Sequence, residues 1–435
     1  MNLSLALLIL LIGSAPVILM VDVPLLQGFV CALAAATTLV IGLTLPRSDG
    51  EHLLKLSGFV ALVAAAPVVA ILIQLAQLKA IGLSNPIWDS AAAALGQPLA
   101  ATISIDPGGT IVVLVRFLAA AAILFSAMAI AVDRRRAQRI LGCLAAAATA
   151  IAVISAIVAL SDSLGSRHGY GENGKMAAID GTVLGVVLTG AAAIQAYERY
   201  RMRRTHSPTR ARSAALAGGV WIAGCAICWS TLMWVGDDLA NIAALFGFGT
   251  LIIIAVICHV GFRPWEQIGL LVVAVGAAVY IVIFILPIRI GDPTLSFVTE
   301  VSPALVGVTE RVLADIPITG TGAGTFAALL PIYRGVDEVI EAQSAPTTAA
   351  AIAIELGRPV LVLVLLTTVS IVGVLMRGAL QRGRDYFYSG AGAGCVLALL
   401  FLMFGNAGLL NTAISTITAA TLGLAFAQRT GRVRH

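Results

Sequence analysis

The sequence predicts an all-α polytopic membrane protein with about 12 transmembrane helices and one large extramembrane loop. Three observations carry that prediction. Of 435 residues, 59% are hydrophobic and only 11% charged, where a soluble domain carries about 25% charged residues. Apolar runs of about 20 residues, the length that crosses a bilayer as a helix, recur from one end to the other. The basic residues between those runs alternate between rich and poor loops. This composition excludes an ordinary soluble domain and a disordered chain. It also excludes an outer-membrane barrel, whose apolar segments alternate rather than run on. The formal net charge of +5 is therefore read through the placement of the arginines and not as nucleic-acid binding.

In chain order the spans are expected near 3–20, 23–45, 55–78, 109–131, 138–160, 176–196, 213–233, 240–260, 267–287, 357–376, 388–404 and 407–427. The first has no basic residue ahead of it, and its small-residue site is followed by Pro16 and another apolar run, so a retained helix is expected rather than a removed signal. Of the 27 Lys and Arg, nineteen fall in one set of loops, seven in the other, and Arg116 inside a span. The rich set is Arg47 and Lys55, Arg134 to Arg139, Arg199 to Arg212, Arg263, Arg377 to Arg384 and the tail arginines 429 to 434. The positive-inside rule places that set and both termini in the cytoplasm, which requires an even number of spans. The chain then divides into helices one to nine with short loops (1–287), a large outer loop (288–355), and three helices with a tail (356–435).

Smaller features have plain readings. The run 199–213 is a topogenic loop first, and a headgroup- or RNA-binding segment only second. All six cysteines fall in apolar runs, and the Cys225/Cys228 pair, one turn apart with no second pair or histidine nearby, reads as packing rather than redox or zinc chemistry. Trp88 in the loop 79–108 fits an interfacial aromatic. In the large loop, Leu295, Val298, Val301, Leu305, Val308, Val312 and Leu313 recur near helical spacing and predict one amphipathic surface helix. No internal repeat is visible, which gives no support to a repeat-built transporter.

The most informative stretch is ERVLADIPITGTGAGTFAALLPIYRG, 310–335. The N–H groups of GTGAGTF, with Gly322, Gly324 and Thr325 at its centre, are able to cradle phosphate oxygens, but the segment lacks the ending of a P-loop. The bland alternative is a tight turn between two surface helices. Arg311 before it and Arg334 after it stand on the face where arginine is scarce, and a guanidinium suits bidentate contact with pyrophosphate. Arg116, inside a span, either snorkels or faces a polar cavity, because an unpaired charge there costs several kcal/mol. Asp180 lies a short way into its span, open to a pair with Lys175 or to a catalytic role.

On these residues the chain resembles the bacterial O-antigen ligases and related lipid-linked glycan polymerases. LSNPIWDS with ISIDPGGTIVVLVRF is similar to that family's first outer loop and following helix, and SRHGYGENGKMAAIDG to its short asparagine-rich loop. Arg311, DIPITGTGAGTF, Tyr333-Arg334 and Glu355-Leu356-Gly357 resemble its large periplasmic loop. The resemblance implies a GT-C-like architecture in the bacterial inner membrane. It also implies inverting transfer of a saccharide from a polyprenyl-pyrophosphate-linked glycan to a glycan or lipid A-core acceptor. Membrane lipid is a further contact, and no metal, cofactor or nucleic acid is expected. Where the family's loop has its histidine and asparagine, this chain has Pro346 and Thr347. Where it has paired asparagines, Glu172 and Gly174 stand, with Asn173 out of register. Gly236-Asp237-Asp238 replaces an expected Ser-Arg-Gly.

Such chemistry needs cations on the departing pyrophosphate and a base for the acceptor hydroxyl. Arg311 and Arg334, assisted by Arg167, Lys175 and Arg116, are the expected donor contacts, with Gly322, Gly324 and Thr325 beside them. His168, the sole histidine expected on the outer face, is the candidate base, with Glu338 and Glu341 behind it. Arg311 and Arg334 are expected to face one cavity bounded by the GTGAGTF turn and the 166–176 loop. A non-catalytic relative that binds the same lipid or scaffolds a biosynthetic complex, and a glycan transporter, are the competing readings.

Overall fold

The computed structural model describes residues 2–21, 23–44, 47–77, 82, 84–163, 172–204, 208–260, 291–298, 302–335, 344–382 and 385–429. Among these the chain is helical throughout, without strands. The long helices are α1 (Asn2–Met20), α2 (Pro24–Thr44), α3 (Arg47–Leu75), α5 (Pro107–Ile130), α6 (Arg134–Ser163), α7 (Glu172–Arg203), α8 (Pro208–Val235), α9 (Asp238–Val260) and α13 (Arg358–Arg382). These are the nine helices among the described residues that are long and apolar enough to cross a membrane. Two shorter apolar helices, α14 (Tyr386–Leu402) and α15 (Thr412–Ala427), occupy the last two expected spans. The chain is a multi-pass helical membrane protein. The span expected at 267–287 lies outside the described residues.

Helix α7 is the axis of the bundle, with 89% of its central 18-residue stretch buried. It packs against α6, α8, α9 and α14. Small residues make that possible: Gly185 abuts Cys228 and Ala148, and Gly190 abuts Phe248. Two backbones approach closely where Gly394 of α14 meets Gly247 of α9, and a side chain on either would collide with the facing carbonyl. The CxxC reading is met here as packing: Cys228 is fully buried against α7 and Cys225 directs its sulfur to the Val186 carbonyl at 3.8 Å.

The helix ends that border the arginine-rich loops meet at one end. Arg134 pairs with Asp385 at 2.8 Å, Glu198 with His259 at 2.8 Å, and the Gln428 amide donates to the Ala131 carbonyl. The opposite end carries a second, smaller layer: α4 (Ile87–Leu95), α10 (Pro303–Asp315), α11 (Phe326–Tyr333) and α12 (Thr348–Glu355). This layer has its own core of Leu295, Val308, Val312, Phe326, Leu330 and Ile354, seated on Leu361 and Met403 of the bundle.

The single amphipathic helix expected from Leu295 to Leu313 is two elements. Leu295 closes a 3-10 turn at Pro293–Leu295, and α10 starts only at Pro303, capped by the Ser302 hydroxyl at 3.3 Å from the Leu305 N–H. Pro at the first helical position and Ser before it mark a helix start. Apolar spacing alone does not reveal that boundary. Both pieces still bury their apolar residues in the same core.

Candidate functional site

The GTGAGTF turn is built by three glycines with positive φ: Gly320 (73°), Gly322 (113°) and Gly324 (77°). A side chain at 322 would meet Ser104, and one at 324 would meet Val113 of α5. Glycine is thus required both for the left-handed backbone and for the close approach. The turn is stitched to the start of α5, where Ile105 N–H donates to the Thr321 carbonyl at 3.0 Å and the Thr110 hydroxyl lies 2.9 Å from the Ala323 carbonyl.

The N–H groups proposed as a phosphate cradle are engaged within the chain. Gly324 N–H donates to the Glu355 carboxylate at 2.7 Å and Phe326 N–H to its other oxygen at 3.4 Å. Ala323 N–H donates to the Gln74 side-chain oxygen at 3.1 Å, and Gly322 N–H to the Glu355 carbonyl at 3.0 Å. The Gln74 amide in turn donates to the Glu355 and Thr319 carbonyls at 2.7 and 3.1 Å. A resident carboxylate therefore holds the position at the N-terminus of α11 that suits an anion. Loss of water around that carboxyl pushes Glu355 up to about 7, against the downward pull of the Gly324 and Phe326 N–H groups. Thr325 is buried and its hydroxyl closes the turn on the Gly322 carbonyl at 2.6 Å.

The two expected donor arginines lie together but away from the turn. The Arg311 guanidinium donates to the Tyr333 carbonyl at 3.1 Å, next to Arg334, which ends α11. Both are exposed. Tyr333 donates its hydroxyl to Asp315 at 2.6 Å, a bond that with burial raises the phenol to about 12. The turn sits at the other end of this eight-residue helix, so about 12 Å of helix separates the arginine pair from the glycines. The cavity expected to bring them together is bounded in part by the 166–176 loop, most of which lies outside the described residues. Arg116 sits within α5 and donates to the Gln27 side chain of α2, while its Nε is buried without a hydrogen-bond partner among the described residues. Lys175 is exposed near the start of α7. His168, Arg167, Glu338 and Glu341 lie outside the described residues.

The positions that depart from the resemblance have structural roles. Thr347 caps α12, accepting from Ala350 N–H at 3.0 Å, and its hydroxyl donates to the Thr294 carbonyl at 2.8 Å. Pro346 beside it is buried. Directly below, Thr348 N–H donates to the Asn406 carbonyl at 2.9 Å, and the Asn406 amide donates to Asp180 at 2.9 Å. Asp180 is fully buried, pairs with Asn406 and presses its second oxygen against Gly408. This chain of contacts ties the outer layer to the axis helix.

Beside the turn an apolar groove of about 360 Å³ runs down between α3, α5, α13 and α15. Val360 and Leu409 line it near the outer layer, and Phe59 and Phe426 line it near the arginine-rich end. The hydroxyls of Thr367, Thr368 and Ser415 are bonded to carbonyls of their own helices, so they present carbon to it. Helix α3 is a lightly embedded wall: of the side chains described between 57 and 75, only Val60, Ile71 and Gln74 are buried. Sequence reasoning missed this groove and missed Gln74 and Asn406. An amide at the edge of an apolar run, where a partner is obligatory, was the available signal. Compared with known protein families and with curated proteins, the chain matches none.

Proposed function

We propose that the protein acts at the outer face of a bacterial inner membrane on a polyprenyl-pyrophosphate-linked saccharide, as a glycan ligase or polymerase. The observation that carries this reading is the groove of about 360 Å³ that descends beside the outer layer. An isoprenoid tail is long, apolar and already resident in the bilayer, and a wall as lightly embedded as α3 suits sideways entry. The head of such a lipid would emerge next to the layer that bears Arg311 and Arg334, whose guanidiniums suit the pyrophosphate. With the arginine-rich end in the cytoplasm, both termini lie inside and the layer faces the periplasm. In this reading His168 takes the acceptor proton, since Pro346 has no group to do so.

A second reading has a specific support. Glu355 fills the anion-binding position of the turn, and Thr347 is spent on a helix cap. Both fit a relative that holds the lipid-linked glycan without transferring it. Surface polysaccharide from a deletion strain separates the two. Uncapped lipid A core or shortened chains support transfer, and an unchanged polysaccharide overturns it.

A further inference from the structure

We infer that the arginine-rich end contains a binding site for a phosphate monoester, formed by Arg134, Arg199 and Arg382. The inference is independent of the transfer reading. These residues come from three helices: Arg134 opens α6, Arg199 lies in the last turns of α7, and Arg382 ends α13. Arg199 and Arg382 both lie within electrostatic reach of Tyr388 and of Arg134. Arg134 pairs with Asp385, Arg382 lies three residues before that aspartate, and Gln195, one turn ahead of Arg199, bonds the Tyr388 hydroxyl, so all three arginines lie around the start of α14.

Their compensation is incomplete. Asp385 pairs with Arg134 at 2.8 Å and is also the carboxylate within reach of Arg382. Glu198, the other acid nearby, is held by His259 at 2.8 Å. The Tyr388 hydroxyl accepts from Gln195 at 2.6 Å. Two guanidinium nitrogens, Nη2 of Arg199 and Nη1 of Arg382, are buried without a hydrogen-bond partner among the described residues. Buried guanidinium N–H groups are costly to leave unmade and are ordinarily satisfied. Asp385 heads α14 without bonding its side chain to the helix N–H groups, so the positive end of that helix adds to the same field.

Three guanidiniums sharing one carboxylate, with Arg203 also within reach of Arg199, leave at least about two positive charges, enough for a phosphate monoester of roughly −1.5 to −2 near neutral pH. The planar fork of arginine suits its oxygens better than it suits a halide. Two sources carry this group: the headgroup of phosphatidate in the facing leaflet, and a soluble phosphate.

The test uses the full chain in detergent micelles and follows phenylglyoxal modification of individual arginines by peptide mass spectrometry. The probes are inorganic phosphate, and phosphatidate against phosphatidylcholine in the micelle. At ten times its dissociation constant a bound probe slows modification of Arg199 and Arg382 about tenfold, as occupancy requires. The exposed Arg135 and Arg139 are slowed less than about twofold. Protection by phosphatidate alone assigns the site to a lipid headgroup, and protection by phosphate as well assigns it to a soluble anion. No protection from either probe, or equal protection at all four arginines, overturns the inference. As a second measurement, the protecting probe should raise the thermal midpoint of the unmutated protein and of an Arg135→Gln/Arg139→Gln variant. It should leave Arg199→Gln/Arg382→Gln unchanged. An equal rise in both variants overturns the inference too.

Discussion

At the scale of single residues, Glu355 and Thr347 show how side chains that a motif would assign to chemistry are used to hold the outer layer. Glu355 titrates near 7 in the folded protein against an ordinary value of 4.5. A raised carboxyl binds more protons folded than unfolded, so stability falls as pH rises from about 4.5 to about 7 and is level above that. The full shift corresponds to on the order of 3 kcal/mol. Thermal midpoints in detergent should therefore drop between pH 5 and 8, and Glu355→Gln should flatten that dependence. An unchanged slope in the variant would place the titration elsewhere. Thr347→Ala removes both the α12 cap and the bond to Thr294, and is expected to lower stability by about 1 to 2 kcal/mol. The sequence set Thr347 apart from the resemblance and matched Glu355 to it, without giving their partners. The partners of Glu355 are the N–H groups of residues about 30 positions away, and those of Asp180 lie 226 positions away, a separation that no local pattern encodes.

Helices were the most legible level. Eleven of the twelve expected spans fall on helices among the described residues, two of them short, because apolar length fixes a span with little help from neighbours. Boundaries in the outer layer were less legible: Leu295 to Leu313 keeps a helical apolar spacing across a break made by Ser302 and Pro303. The length of α11 also has a functional consequence. Arg311 and Arg334 stand together at its far end, while the turn at its start holds the Glu355 carboxylate. Neutralising Arg311 and Arg334 together should weaken polyprenyl-pyrophosphate binding more than neutralising Arg289, which flanks the expected ninth span, because charge-assisted bonds are about twice as strong as neutral ones. Equal losses would mean general attraction to anionic lipid.

For the whole molecule, the sorting of basic residues and the contacts between helix ends agree. The arginine-rich segments meet at one end and the outer layer covers the other. Single cysteines at Ser207 and Ser344, in a background without native cysteines, should label from opposite sides of the membrane, and labelling from one side would undo the topology. The groove was not legible in the sequence, since its walls come from four helices whose apolar faces look alike until packed. The central claim is that this groove holds the tail of a polyprenyl-pyrophosphate-linked saccharide. It is tested most directly by a photoreactive benzoyl-phenylalanine at Leu363, which lines the groove, compared with one at Leu118, exposed on α5 and not among its lining residues. Irradiation in membranes containing the lipid-linked saccharide should attach it through position 363 at least about tenfold more than through 118. Equal attachment at both positions, or none at 363, would contradict it.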